Sequence, residues 1–506
     1  MPAPPLAKKP YERLLSGVRI RVSKVTGRSL EEEAEADRGR VLFCAPFRRL
    51  QNKAQMFSLE TNASVRSRLT HSFEVSSVGR FVTQQAIRQF GAAELDALGI
   101  AGNERALITF VETACLLHDI GTPPFGHFGE IAISDWFHLK SESLQPTGIG
   151  GSILTSWQKY FADFKHFDGN PQGLRICTRL QPSQTSDLCG LNLTATTLAA
   201  FIKYPWTAEK VDETHKKAGF FLTEADVVDW LNTSLQINSG ARHPLVYLME
   251  AADDIAYCIS DIEDGIEKGL VSAKVFAESM QDKLRVFKDI AARGDNNAKH
   301  TLEALALLKQ PAFIVNGVNV RRLTPMQDFR SAITRFLALE AGKKFKASHA
   351  EIIAGTAPAI LRDANDGLLL KSLKEFASST LYSSSIVRNR EITAQAVLSG
   401  LLDAYLPLMI CERARFDEAL SGKTRDEEGR PIARDSSLAS RISGKCLEVY
   451  REAVARLDIT QRGKFRVMER IYRIHLILDH LTGMTDEFAL QSFQLISGVQ
   501  INPYRN

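Results

Sequence analysis

The chain has 506 residues, of which 44% are apolar and 24% charged, with a formal charge of +4. That length can bury a large core, and so small a positive excess does not demand a nucleic-acid partner. Seven cysteines without a Cys-x-x-Cys pair speak against a disulfide scaffold or a zinc knuckle.

Residues 1–10 lack the apolar centre of a secretory signal. No uninterrupted apolar run reaches bilayer length. The expectation is a soluble, cytoplasmic protein with no membrane partner. The basic stretches from Arg13 to Lys24 and from Lys343 to Lys346 read as solvated surface.

In chain order, Val75, Val78, Phe81 and Val82 follow His71 at one-face spacing and predict a first amphipathic helix. Leu107, Phe110, Val111, Ala114, Leu117 and His118 predict a second. Residues 141–187, rich in Ser, Gly, Gln, Pro and Thr, are expected to be largely irregular. Leu191, Ala195, Leu198 and Ile202 predict another helix, and Leu245, Leu248, Ala252, Ile255 and Ile259 one more. Strand-like alternation is best developed in Phe313–Val320, a small hairpin on Asn316-Gly317. Residues 421–437 read as a mobile polar loop, and Val467, Ile471, Ile474, Leu478 and Leu481 mark a C-terminal helix. The expected fold is mostly α, one large helical unit over 1–506 with irregular insertions and a helical C-terminal extension. No internal repeat is present.

The most chemically suggestive segment runs from Leu116 to Glu130, Leu-Leu-His-Asp-Ile-Gly-Thr-Pro-Pro-Phe-Gly-His-Phe-Gly-Glu. An apolar helix delivers His118-Asp119 to its own end, and a Gly/Pro turn leads to His127 and Glu130. Nitrogen and oxygen ligands side by side suit a hard or borderline divalent cation. His118 alone would read as a hydrogen-bonded core residue, but an adjacent buried carboxylate needs a cation or strong hydrogen bonds. Asp253, Tyr257 and Asp261 recur at helical spacing and form a polar stripe on an otherwise apolar helix. The stripe reads equally as the lining of a site or as acidic surface.

In order, His71, His118-Asp119 and Asp253 resemble the H…HD…D signature of the HD-domain phosphohydrolases. Further segments resemble the deoxynucleoside-triphosphate triphosphohydrolase branch, and within it the bacterial dGTPases. These are Arg48 to Gln55 (RRL-x-x-K-x-Q), Arg66 to Ser72 (R-x-R-x-x-H-S), His118 to Glu130 (HDIG-x-PPFGH-x-GE), Ala252 to Tyr257 and Gly483 to Ala489. His166 to Gln172 is similar to HFEGN-x-Q, with Asp168 where Glu is usual.

The resemblance implies an HD-type helical fold, with 40–270 as the metal and nucleotide core and 271–506 completing the nucleotide pocket and making oligomer contacts. It implies hydrolysis of dNTPs, dGTP preferred, to deoxynucleoside plus inorganic triphosphate. His71, His118, Asp119 and Asp253 would hold one metal ion, Mn or Mg foremost, with Fe, Co or Zn open. His127 would be the general acid, oriented by Glu130. Gln55, Tyr257 and Asp261 would read the sugar, with Asn170 a further nucleotide contact. Arg68, Lys203 and Lys217 would meet the triphosphate, and Glu391 the guanine edge. A homo-oligomer, such as the hexamers of relatives, and a response to single-stranded DNA or a nucleotide effector would follow. The alternatives are a (p)ppGpp hydrolase, a cyclic-nucleotide phosphodiesterase, or a nucleotide-binding regulatory HD module.

Overall fold

The computed structural model describes residues 9–499 except 60–61, 63, 182–189, 284–287, 290–291, 295, 309–312, 316–317, 321–323, 363 and 383–384. Regular structure is overwhelmingly helical. Among the described residues the strands are Phe313–Val315 and Val318–Val320, an antiparallel pair with Ile314 opposite Asn319. The Asn-Gly turn expected between them lies outside the described residues.

Local signals account for the helix starts. Arg68–Arg88 begins at Ser67, whose hydroxyl accepts from the Thr70 amide while Thr70 accepts from the Ser67 amide. Pro244–Glu267 begins with Pro in its first turn, after His243, whose ring accepts from the Leu245 amide at 3.2 Å. The helix expected over 191–202 is shorter, Ala195–Phe201, because Thr194 caps it through the Thr197 amide.

Of residues 141–187, 182–187 lie outside the described residues, and the others depart from expectation. They form Ser141–Leu144, Gly151–Lys165 and Gly169–Thr178. Trp157, Phe161 and Phe164 share one buried face, and their packing overrides a composition poor in helix formers. The polar 421–437 stretch is a turn pinned by Asp426, which accepts from the Arg430 backbone and side chain at 2.8 and 2.7 Å. Its last residues enter the helix Ala433–Ala439.

Two large apolar cores form among the described residues, beside a small cluster of Phe57 and Val65. One joins Arg68–Arg88, Glu104–Leu117, Pro244–Glu267 and Thr324–Ala347 around Val75, Phe110, Leu117, Ile255 and Leu337. Gly79 lets the first two helices meet, since a Cβ there would lie 2.6 Å from Cys115 Sγ. The other core joins His127–Leu139, Gly151–Lys165, Ser385–Ile410 and Arg462–Thr482 around Trp136, Phe164, Leu398 and Ile474.

No apolar run of bilayer length is uninterrupted, as expected, but among the described residues one helix reaches that length by average composition. Arg388–Ile410 reaches that length at a mean hydropathy of 1.3. Polar interruptions such as Asp403 hide it in the sequence. Within the fold its Leu398, Leu401, Leu402 and Leu408 pack into the second core, and Asp403 accepts from Trp136 Nε1 at 3.0 Å.

Burial pushes the His480 imidazole down to about 4, so it is neutral in the fold. The unfolded chain takes up this proton near the ordinary histidine value of about 6.5. The stabilising contribution is therefore complete above that value and lost as pH falls toward 4. We expect the melting temperature of wild type to fall more between pH 7.5 and 5 than that of His480→Phe; equal falls would contradict it.

Candidate active site

The HD segment is held by close backbone approaches. His118 ends Glu104–Leu117 and donates Nδ1–H to the Cys115 carbonyl at 2.7 Å, which leaves its Nε2 lone pair facing outward. Behind Asp119, Gly121 touches the 169–173 backbone so closely that a Cβ would lie 2.1 Å from the Gly169 carbonyl oxygen. Gly126, at φ +61°, turns the chain over Arg68, where a Cβ would lie 2.5 Å from the guanidinium. Asp486 braces the same turn, accepting from the Phe125 amide at 2.9 Å and the Ala54 amide at 3.2 Å. Buried Lys53 donates to the Thr122 and Thr482 carbonyls at 2.6 and 2.7 Å.

Four groups from three helical elements converge. His118 Nε2 lies 3.4 Å from Asp119 Oδ2 and 3.5 Å from Asp253 Oδ1, and His71 Nε2 lies 3.7 Å from the same Asp253 oxygen. His71, His118 and Asp119 each offer a ligand atom within 4.8 Å of the others'. Both His71 ring nitrogens are buried without a hydrogen-bond partner. Two imidazoles and two carboxylates around such an orphaned ring fit a divalent cation.

Charge is balanced locally. Burial opposes ionisation of Asp119, but Arg68, at 2.7 Å, and the two imidazoles outweigh it and hold the carboxyl well below the usual range. Burial likewise opposes charge on Asp253, and Lys203, at 2.6 Å, with His118 and His71 outweighs it. Burial pushes His118 down, whereas on His71 the nearby Asp253 and Asp119 overcome burial and push it up.

These groups open into a cleft of about 660 Å³ between the two cores. Of the residues singled out in the sequence, Gln55, Arg68, His118, Asp119, His127, Glu130, Asn170, Lys203, Lys217, Asp253, Tyr257, Asp261 and Glu391 all line it. His71 lies beneath, fully buried. The His127 side chain is 68% exposed and hydrogen-bonds through Nδ1 to Glu130 Oε2 at 2.9 Å. The other Glu130 oxygen accepts the Gly169 amide at 2.8 Å. Lys217 reaches Asp168 at 2.6 Å. Asp168 also caps the helix that carries Asn170.

Lys374, Tyr382, Tyr204 and Asp254 also line the cleft, unanticipated from sequence. Lys374 donates to Asp254 at 2.7 Å. Its partner lies far away along the chain, so no local spacing announces it. The cleft can thus offer nitrogen and oxygen metal ligands, a histidine–carboxylate pair, several cations and a polar stripe.

The sequence is 35% identical over 488 residues to a probable deoxyguanosinetriphosphate triphosphohydrolase of Pseudomonas aeruginosa, covering 92% of this chain and 93% of that one. It is 33% identical over 500 residues to a deoxyguanosinetriphosphate triphosphohydrolase of Cronobacter sakazakii and 32% identical over 503 residues to one of Salmonella typhimurium. Each of these two alignments covers 92% of this chain and 94% of the relative. No family model matches the chain. The identity and length of these alignments, together with the cleft just described, place the chain in the bacterial deoxyguanosinetriphosphate triphosphohydrolase family.

Proposed function

We propose that the chain hydrolyses dNTPs, dGTP above the others, to deoxynucleoside and intact triphosphate. The observation that carries this reading is the convergence of His71, His118, Asp119 and Asp253 beside the His127–Glu130 pair, in a chain of this family. The four would hold one divalent cation, Mn or Mg, which when bound polarises a phosphoryl oxygen and acidifies water.

The bond to be broken joins the α-phosphorus to O5′. The leaving alkoxide is a poor leaving group and needs a proton. His127 supplies it from Nε2, while Glu130 accepts from Nδ1 and supports the charged ring. The Gly169 amide fixes Glu130 in turn. Arg68, Lys203, Lys217 and Lys374 present positive charge to the triphosphate. Each is already paired with a carboxylate, so anion binding competes with Asp119, Asp253, Asp168 and Asp254.

Gln55 and Asp261 receive the 3′-hydroxyl, and the Tyr257 ring closes the space that a 2′-hydroxyl would fill. Asn170 adds a nucleotide contact. Glu391, at the lip of the cleft on Ser385–Ile410, suits the N1/N2 donor edge of guanine. A dNTP substrate supports a cytoplasmic setting for this enzyme. The same reading includes a homo-oligomer, a hexamer in the first instance, and a response to single-stranded DNA or a nucleotide effector.

A panel of dNTPs with Mn or Mg, resolved by chromatography, should yield deoxyguanosine and tripolyphosphate in equal amounts, fastest from dGTP. Release of orthophosphate or pyrophosphate instead would contradict the reaction type. His127→Ala should lower kcat by roughly 10²–10⁴-fold with metal content unchanged. Near-normal turnover would remove His127 from the mechanism.

A further inference from the structure

Tyr382 ends the π-helical turn Ser378–Tyr382, which links Ala364–Ala377 to the helix bearing Glu391. Single π turns of this kind recur at functional sites. The turn is seated firmly: Leu381 is fully buried, and a Cβ at Gly265 would lie 2.5 Å from its Cδ2. Gly265 stands one helical turn beyond Asp261. The turn is thus docked on the very stretch that carries the sugar-facing stripe.

The Tyr382 hydroxyl hydrogen-bonds to both the Tyr257 hydroxyl and Asp261 Oδ2. A carboxylate can only accept, so the single Tyr382 proton goes to Asp261. Its oxygen then accepts the proton of Tyr257. The chain has one direction, from Tyr257 through Tyr382 to Asp261. Asp261 is 1% exposed, and its other oxygen, Oδ1, is buried without a partner, as is Gln55 Oε1. One carboxylate oxygen is committed to Tyr382, and the other is left for a donor from outside.

We propose that Tyr382 is a positioning residue for sugar discrimination, a role that rests on the dNTP reading above. Its hydroxyl holds Asp261 Oδ1 ready for a 3′-hydroxyl and fixes the Tyr257 ring against a 2′-hydroxyl. Removal of the hydroxyl frees both at once, although Tyr382 makes no bond to the reacting atoms.

The test compares kcat/KM for dGTP, GTP and 2′,3′-dideoxy-GTP in wild type, Tyr382→Phe and Tyr257→Phe. Tyr382→Phe should lower both the dGTP/GTP and the dGTP/dideoxy-GTP ratios by about tenfold or more, the scale of a lost hydrogen bond to a charged group. The loss for dGTP itself should appear mainly in KM. Tyr257→Phe removes only the first donor, so it should lower the dGTP/GTP ratio and leave the dideoxy ratio within twofold.

Both ratios within twofold of wild type in folded Tyr382→Phe would overturn the proposal, even if turnover fell. Should that variant not fold, Tyr257→Phe decides alone, and loss of both ratios or of neither overturns it. Wild type that releases no triphosphate from any dNTP would instead overturn the function on which the proposal rests.

Discussion

The site depends on keeping two carboxylates ionised inside the protein. Asp119 and Asp253 come from distant parts of the chain, yet both lie against the His118 imidazole, and Asp253 also against His71. Both carboxylates are largely withdrawn from solvent at the cleft floor, and leaving such a charge uncompensated is destabilising. Arg68 and Lys203 compensate it, one from the capped start of the helix that carries His71, the other from just beyond the Ala195–Phe201 helix. Close contacts at Gly121 and Gly126 make these pairings reachable, because a side chain at either would push the HD segment off the 169–173 backbone or off Arg68.

The cleft sits where the two cores meet, which divides its chemistry between two walls. The first core supplies the imidazole and carboxylate donors that could hold a metal and the Tyr257–Asp261 stripe, on helices whose apolar faces are buried. The second supplies the start of His127–Leu139, with the proposed proton donor His127, and the helix that presents Glu391. Asp486 and Lys53 tie the walls together through backbone amides and carbonyls, so the turn after His118 is held from both sides. Rigid support of this sort is what a hydrolytic site needs if a proton donor is to meet a scissile bond at a fixed angle.

Much of this could be read from the residues. One-face apolar spacing marked the helices bearing His71, His118 and Asp253. The four-residue recurrence of Asp253, Tyr257 and Asp261 left lining and surface equally open, and the cleft resolves it in favour of lining. The family likeness gathered the remaining side chains, and the fold brings them to one cavity.

What escaped were effects set by packing and long-range pairing. The buried face of Trp157, Phe161 and Phe164 organises a stretch whose composition reads as irregular. The carboxylate partners of Lys203, Lys217 and Lys374 lie on other elements, as do the contacts of Tyr382, and nothing near these residues in the chain signals them.

The most direct test of the central claim is anomalous diffraction from crystals equilibrated with Mn. The account predicts a single strong peak per chain, within bonding reach of His71, His118, Asp119 and Asp253, and its disappearance in Asp253→Ala. A peak elsewhere, or an unchanged peak in that variant, would contradict it.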